Sequence, residues 1–147
     1  MAAAFKDIGW HSALQALQKL VPKADGLGLD GIYAAVQEGS CALEELQLPG
    51  WEDMDDSEIF DWLVVDLKPS GETSILIPFF CCCGHHLPFE VQESDVRAFV
   101  LGFFANFGES FFNGDTILLY PAQKAFFYFD HNGFAGRVRA KSSKSPF

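Results

Sequence analysis

Apolar residues in the first part of the chain repeat with the period of a helix. The intervals are four, three and four residues, at Trp10, Leu14, Leu17 and Val21. This spacing places one apolar stripe along a helix over 8–21, with Asp7 as its N-cap and Pro22 at its end. A second stripe predicts a helix over 29–37, which Gly39 would stop.

Two further elements are predicted before residue 70. Ser40 is expected to cap a short helical turn through Leu46, because Pro49 and Gly50 follow it. The β-branched and aromatic residues of 60–67 are typical of a strand. A turn over 69–72 would join that strand to a second one over 73–80, as an antiparallel hairpin.

The second half of the chain contains the clearest helical pattern. A helix is predicted from about Ser94 to Gly108, with an apolar stripe at spacings of three and four residues. The stripe consists of Val96, Phe99, Val100, Phe103, Phe104 and Phe107. Turn residues then separate three predicted strands, over 115–120, 125–129 and 134–138.

This order of elements predicts an α+β fold. We expect an antiparallel sheet of about five strands with helices packed on one face, because the strands are linked by hairpins and the helices are segregated. No polar, Pro/Gly-rich break divides the chain, so residues 1–147 are expected to form a single domain, with 140–147 as a flexible tail.

Composition narrows the classes of function. The 16 Phe residues indicate an aromatic core, and ten of them lie between Phe99 and Phe134. A formal net charge of −10 disfavours direct binding to nucleic acid or to anionic membranes, and it suits a basic protein partner. No apolar run resembles a signal peptide or a membrane span, so we expect a cytoplasmic protein.

The strongest local charge feature is an acidic segment over 51–61. Six of its eleven residues are carboxylates, and no Lys or Arg lies between Lys23 and Lys68. Such a run is usually a solvated face, but large apolar residues are interleaved here, which is the composition of a binding hot spot. The predicted partner-binding residues are Trp51, Glu52, Asp53, Asp55, Asp56, Glu58 and Asp61.

A Cys/His segment over 81–86 offers an alternative chemistry. Its candidate metal ligands are Cys81, Cys83, His85 and His86. One extended hexapeptide cannot close a tetrahedral zinc site, so further ligands would have to come from Cys41, His11 or His131. A thiol enzyme would instead use Cys83 as nucleophile with His85 or His86 as base, oriented by Asp130 or His131.

Simpler structural explanations account for the residues of the proposed metal and thiol sites. Free cysteines are commonly buried, and 130–133 (DHNG) is typical of a tight turn in which Asp130 bonds to its own backbone. The chain has no phosphate loop, nucleophile elbow, dinucleotide fingerprint or metalloprotease motif. We therefore expect no cofactor and assign no catalytic residue.

Taken with its size and charge, the acidic segment gives the chain a resemblance to small bacterial toxin-immunity proteins. The aromatic hairpin 129–134 (FDHNGF) is also similar to hairpins in that class. The resemblance implies a cytoplasmic protein that occludes a cognate, basic toxin domain by stoichiometric binding. Two alternatives stay open: a small thiol- or metal-dependent enzyme that uses Cys81–His86, and an oligomeric structural or ligand-binding module that uses exposed Phe residues.

Overall fold

The computed structural model describes residues 5–26, 28–38, 41–79, 88–112 and 114–140. The helices are α1 (Trp10–Leu20), α2 (Leu29–Glu38), α3 (Asp56–Leu63) and α4 (Val96–Phe107). The strands are β1 (Lys6–Asp7), β2 (Cys41–Gln47), β3 (Thr73–Phe79), β4 (Phe89–Gln92), β5 (Asp115–Tyr120), β6 (Ala125–Phe129) and β7 (Phe134–Ala140). Ala140 is therefore part of a strand, and the rest of the predicted tail lies outside the described residues.

The described strands form one antiparallel sheet in the order β1-β4-β3-β5-β6-β7-β2. The α+β class and the antiparallel sheet are confirmed, but the sheet has seven strands rather than about five. The additional strands β1 and β4 have only two and four residues, which is too short for a clear alternating pattern. The third, β2, replaces the helical turn that was predicted from Ser40 to Leu46.

Helices cover both faces of the sheet, which corrects the prediction of one covered face. Alternate residues of the strands point into two separate cores. Leu118 and Phe127 lie in the core under α3 and α4, whereas Ile117 and Phe126 lie in the core under α1 and α2. The signal was present in the sequence, since 115–120 and 125–129 are nearly continuous apolar runs, as expected for strands buried on both sides.

The segment predicted as a strand over 60–67 is instead the end of α3 and the loop after it. Asp55 caps this helix with a capping box, which is a local helix-start signal that outweighs the β-branched residues further on. The predicted hairpin is therefore wrong, because β3 pairs with β4 and β5. The proposed cap of α1 is also wrong: Gly9 occupies the N-cap position, and Asp7 lies in β1.

Two arginines of β7 hold the end of α3. Arg137 donates hydrogen bonds to the carbonyl oxygens of Leu63 (2.9 Å) and Trp62 (2.7 Å). Arg139 donates to the carbonyl oxygen of Val65 at 2.8 Å. Cations are favourable at a helix C-terminus, where carbonyl groups lack intrahelical partners. These contacts attach α3, and with it the acidic segment, to the sheet.

The Phe-rich helix α4 is buried along one side only. Phe99 and Phe103 are buried in the core with Val96 and Val100, whereas Phe104 is 63% exposed. The predicted apolar stripe is thus confirmed as a core-facing surface except at its edge. Among the described helices, none has the length and apolar character needed to cross a membrane.

Candidate protein-binding site

The acidic segment begins with a short 3₁₀ turn, Trp51–Asp53, and continues into α3. Trp51 is half-buried, and its ring packs edge-on against Phe129 at 5.5 Å. Met54 is likewise half-buried against the core below α3 and α4. The large apolar side chains of the segment therefore anchor it to the protein and leave only part of their surface accessible.

Asp55 has a local structural role. Its Oδ1 accepts hydrogen bonds from the Glu58 backbone N–H at 2.9 Å and the Ser57 hydroxyl at 2.7 Å, while Glu58 Oε1 accepts from the Asp55 N–H at 3.1 Å. The Glu58 backbone N–H, followed by the Ser57 hydroxyl, holds the pKa of Asp55 below its ordinary value. The ionised carboxylate of Asp55 thus starts α3.

Asp56 ties α3 to the loop that follows α4. Its two carboxylate oxygens accept from the backbone N–H groups of Phe111 (2.7 Å) and Phe112 (3.2 Å). Burial raises the pKa of Asp56, and these two hydrogen bonds act in the opposite direction. Both carboxylate oxygens of Asp56 are therefore engaged by donors of the protein itself.

Asp61 is engaged by a cation from the neighbouring helix. Arg97 on α4 forms a bidentate pair with it, Nε to Oδ1 at 3.0 Å and Nη2 to Oδ2 at 2.9 Å. The Arg97 hydrogen bond lowers the pKa of Asp61. Both side chains are more than half exposed, so the pair contributes little to stability and largely neutralises this position.

Five of the predicted binding carboxylates are exposed, but three of these, Asp55, Glu58 and Asp61, already bond to other groups of the protein. Among the residues that the structure describes, Glu52 and Asp53 have no hydrogen bond and no ion pair through their side chains. Of the seven predicted residues, Glu52 and Asp53 are thus the carboxylates that bond to no described group, and they follow Trp51 directly in the chain.

A cleft of about 210 Å³ lies on the other side of the β6–β7 turn. Trp51 touches this turn at Gly133, and Asp130 and Phe134 of the same turn line the cleft. The remaining lining residues are Tyr33, Glu45, Leu46, Tyr128 and Ala135. The acidic segment and the cleft thus share one end of the sheet, next to the edge strand β2.

Sequence reasoning missed this cleft as a site. Its residues come from α2, β2, β6 and β7, and the pairing of Leu46 with Ala135 brings two of these strands together. No local pattern indicates that register. The adjacent carboxylates Glu44 and Glu45 within an apolar context were the only available signal.

The turn over 130–133 is confirmed as a structural feature. Asp130 Oδ1 accepts hydrogen bonds from the backbone N–H groups of Asn132 (2.8 Å) and Phe134 (3.0 Å), and Gly133 has a φ of +84°. Among the described residues, no group of three His, Cys, Asp or Glu side chains could hold a metal ion. The candidate ligands Cys81, Cys83, His85 and His86 lie outside the described residues.

The further candidate metal ligands Cys41, His11 and His131 lie within the described residues. Cys41 is buried and its thiol donates to the Leu20 carbonyl oxygen at 3.3 Å, and His11 is exposed on α1. His131 Nδ1 lies 2.9 Å from Asp115 Oδ1. This last contact places His131 beside a carboxylate of β5.

His131 is expected to titrate above its ordinary pKa of 6.5, first because of the Asp115 hydrogen bond and then because of the Asp115 charge. A raised histidine pKa stabilises the fold fully below the unfolded-state pKa, and this stabilisation is lost as the pH rises through the folded-state pKa. NMR titration of the imidazole should show the pKa falling towards 6.5 in Asp115→Asn. An unchanged pKa in that variant would contradict the pairing.

No family model matches the chain, and the comparisons with curated proteins and with solved structures found no match.

Proposed function

We propose that this chain binds and occludes a basic protein, in the manner of a bacterial immunity protein that neutralises a toxin domain. The observation that carries the proposal is the pair of exposed carboxylates Glu52 and Asp53 beside the half-buried Trp51. An aromatic residue fixed in place and rimmed by charge is the composition of an interface hot spot. The net charge of −10 would steer a basic partner towards it.

Hydrogen bonds within the protein narrow the set of carboxylates that a partner could bind. Four carboxylates bind groups of the protein itself, so their removal would disturb the fold or a salt bridge: Asp55, Asp56, Glu58 and Asp61. Glu52 and Asp53 have no such partner among the described residues, and a basic partner would gain from pairing with them. Charge reversal at these two positions therefore tests binding without disrupting α3.

The experiment begins with the tagged protein as bait in its native source, washed at low and then high salt, with mass spectrometry of retained proteins. Binding is then measured with the purified partner. Glu52→Lys/Asp53→Lys should lower the association rate constant at low salt by about tenfold, and the effect should shrink as salt screens the charges. Circular dichroism checks that the variant is folded.

Asp7→Lys/Glu72→Lys is the matched control. It changes the net charge by the same amount with exposed residues at β1 and before β3, away from the acidic segment. Equal loss in both variants would mean that total charge alone governs association, and it would contradict the site. Absence of any retained basic protein at either salt concentration would count against the function itself.

A further inference from the structure

The cleft beside the β6–β7 turn contains a polar group that the protein does not use. Tyr128 is only 9% exposed, yet its hydroxyl has no hydrogen-bond partner among the residues that the structure describes. Its ring lies across Gly136, where an added Cβ would come within 2.2 Å of the ring, so the absence of a side chain there fixes its position. The hydroxyl is not among the buried atoms that lack a partner, so it keeps contact with solvent and is available to a ligand that enters the cleft.

Each of the two carboxylates in the cleft has one oxygen that accepts a hydrogen bond and one that has no partner among the described residues. Glu45 Oε2 accepts from the Tyr33 hydroxyl at 3.0 Å, and Asp130 Oδ1 accepts from the backbone of the turn. Glu45 Oε1 and Asp130 Oδ2 have no partner among the described residues. Burial and then the charge of Glu45 raise the pKa of Tyr128 to about 12, so at neutral pH its hydroxyl is protonated and close to negative charge.

The walls of the cleft are aromatic. Tyr33 and Phe134 are 38% and 48% exposed, and with Tyr128 they border the two carboxylates. An anion would be repelled, and a neutral ligand would leave the carboxylates unpaired. A guanidinium group satisfies every feature at once: its plane stacks on aromatic rings, and its five N–H donors can reach two carboxylates and a hydroxyl.

We propose that this cleft binds one arginine side chain of the basic partner. The assignment rests on the proposed function and adds the residue that the partner inserts. Free oxygens of Glu45 and Asp130 receive the guanidinium N–H groups, the Tyr128 hydroxyl accepts another, and the exposed rings of Tyr33 and Phe134 flank the side chain. The acidic segment, on the other side of the β6–β7 turn, then contacts the surface of the partner around that arginine.

The test uses a small probe and the intact chain. N-acetyl-arginine-N-methylamide is titrated into isotope-labelled protein, with the citrulline analogue, which is nearly the same shape but uncharged, and the lysine analogue as controls. Saturable NMR shifts are expected at Tyr33, Tyr128 and Phe134 with the arginine probe. Glu45→Gln should weaken that binding by about tenfold, the effect of losing one charge-assisted contact. Tyr128→Phe keeps the ring and removes only the hydroxyl, so it should weaken binding less.

Several results would overturn the assignment. Equal shifts with citrulline would exclude recognition of the charge, and equal binding of the lysine analogue would exclude recognition of the guanidinium plane. Shifts confined to residues 51–58 would place the arginine elsewhere. The two proposals fail separately: if a purified partner loses affinity on Glu52→Lys/Asp53→Lys but not on Glu45→Gln or Tyr128→Phe, only the cleft assignment is wrong.

Discussion

Glu93→Ala is expected to lower the free energy of unfolding by about 3 kcal/mol, because it removes the acceptor of three partly buried hydrogen bonds that contribute about 1 kcal/mol each. Glu93 follows β4 and is only 2% exposed. Its Oε1 accepts from the Ser70 backbone N–H (3.2 Å), the Ser70 hydroxyl (3.0 Å) and the Gln123 side-chain amide (2.6 Å). The carboxylate thus joins the loop before β3 to the turn after β5. Urea denaturation measures the loss.

Glu93→Gln is the matched control. Glu93 Oε2 is buried without a hydrogen-bond partner, and none of the described lysines or arginines pairs with Glu93. The unpartnered Oε2 is therefore unfavourable, while the hydrogen bonds accepted by Oε1 are favourable. Glutamine keeps an acceptor oxygen and removes the charge, so it should stay within about 1 kcal/mol of the natural protein. If glutamine cost as much as alanine, the negative charge would be what stabilises the loop.

Local sequence patterns predicted most of the elements whose signals are also local. The apolar periodicity of α1, α2 and α4 depends on residues within a few turns of one another, and Gly108 ends α4 with a φ of +77° as expected. Strands β3, β5, β6 and β7 follow turn residues closely. For these elements, local preference and tertiary packing favour the same conformation.

The larger failures depend mainly on contacts distant in sequence, although the capping box that starts α3 is local. Residues 60–67 have strand-like composition, but α3 is fixed at its start by the Asp55 capping box and at its end by Arg137, which is 74 residues from Leu63. The composition of a segment indicates its local conformational preference. It does not indicate that a distant arginine will donate hydrogen bonds to the carbonyl groups of that segment. The edge strand β2 forms only by pairing with β7.

In the candidate site, too, the sequence predicted the local features but not the contacts between distant residues. The sequence identified the acidic segment correctly as a concentration of charge, but it could not show that Asp56 binds the backbone of Phe111 or that Arg97 pairs with Asp61. Which carboxylates remain available is decided by those contacts. The cleft was not predictable, because Tyr33, Glu45 and Tyr128 meet only after the sheet has formed.

The turn between the two parts of the proposed surface should be highly sensitive to an added methyl group. In Gly133→Ala the Cβ would lie 2.4 Å from Trp51 Cδ1 and 3.2 Å from the Leu48 carbonyl oxygen, at a φ of +84°. Left-handed strain and the collision together should lower the free energy of unfolding by about 3 kcal/mol. Denaturant unfolding measures the change.

Gly108→Ala separates the two contributions to that loss. Gly108 has a similar φ of +77°, but an added Cβ there meets nothing within 4 Å, so only strain of about 1 kcal/mol is expected. If Trp51 is the obstacle, then Gly133→Ala made on a Trp51→Ala background should cost about 1 kcal/mol as well, with the difference appearing as coupling energy. Additive effects would show that Trp51 does not rest on the turn. Strong coupling would show that Trp51 rests on Gly133, so that this glycine sets the position of the acidic segment relative to the cleft.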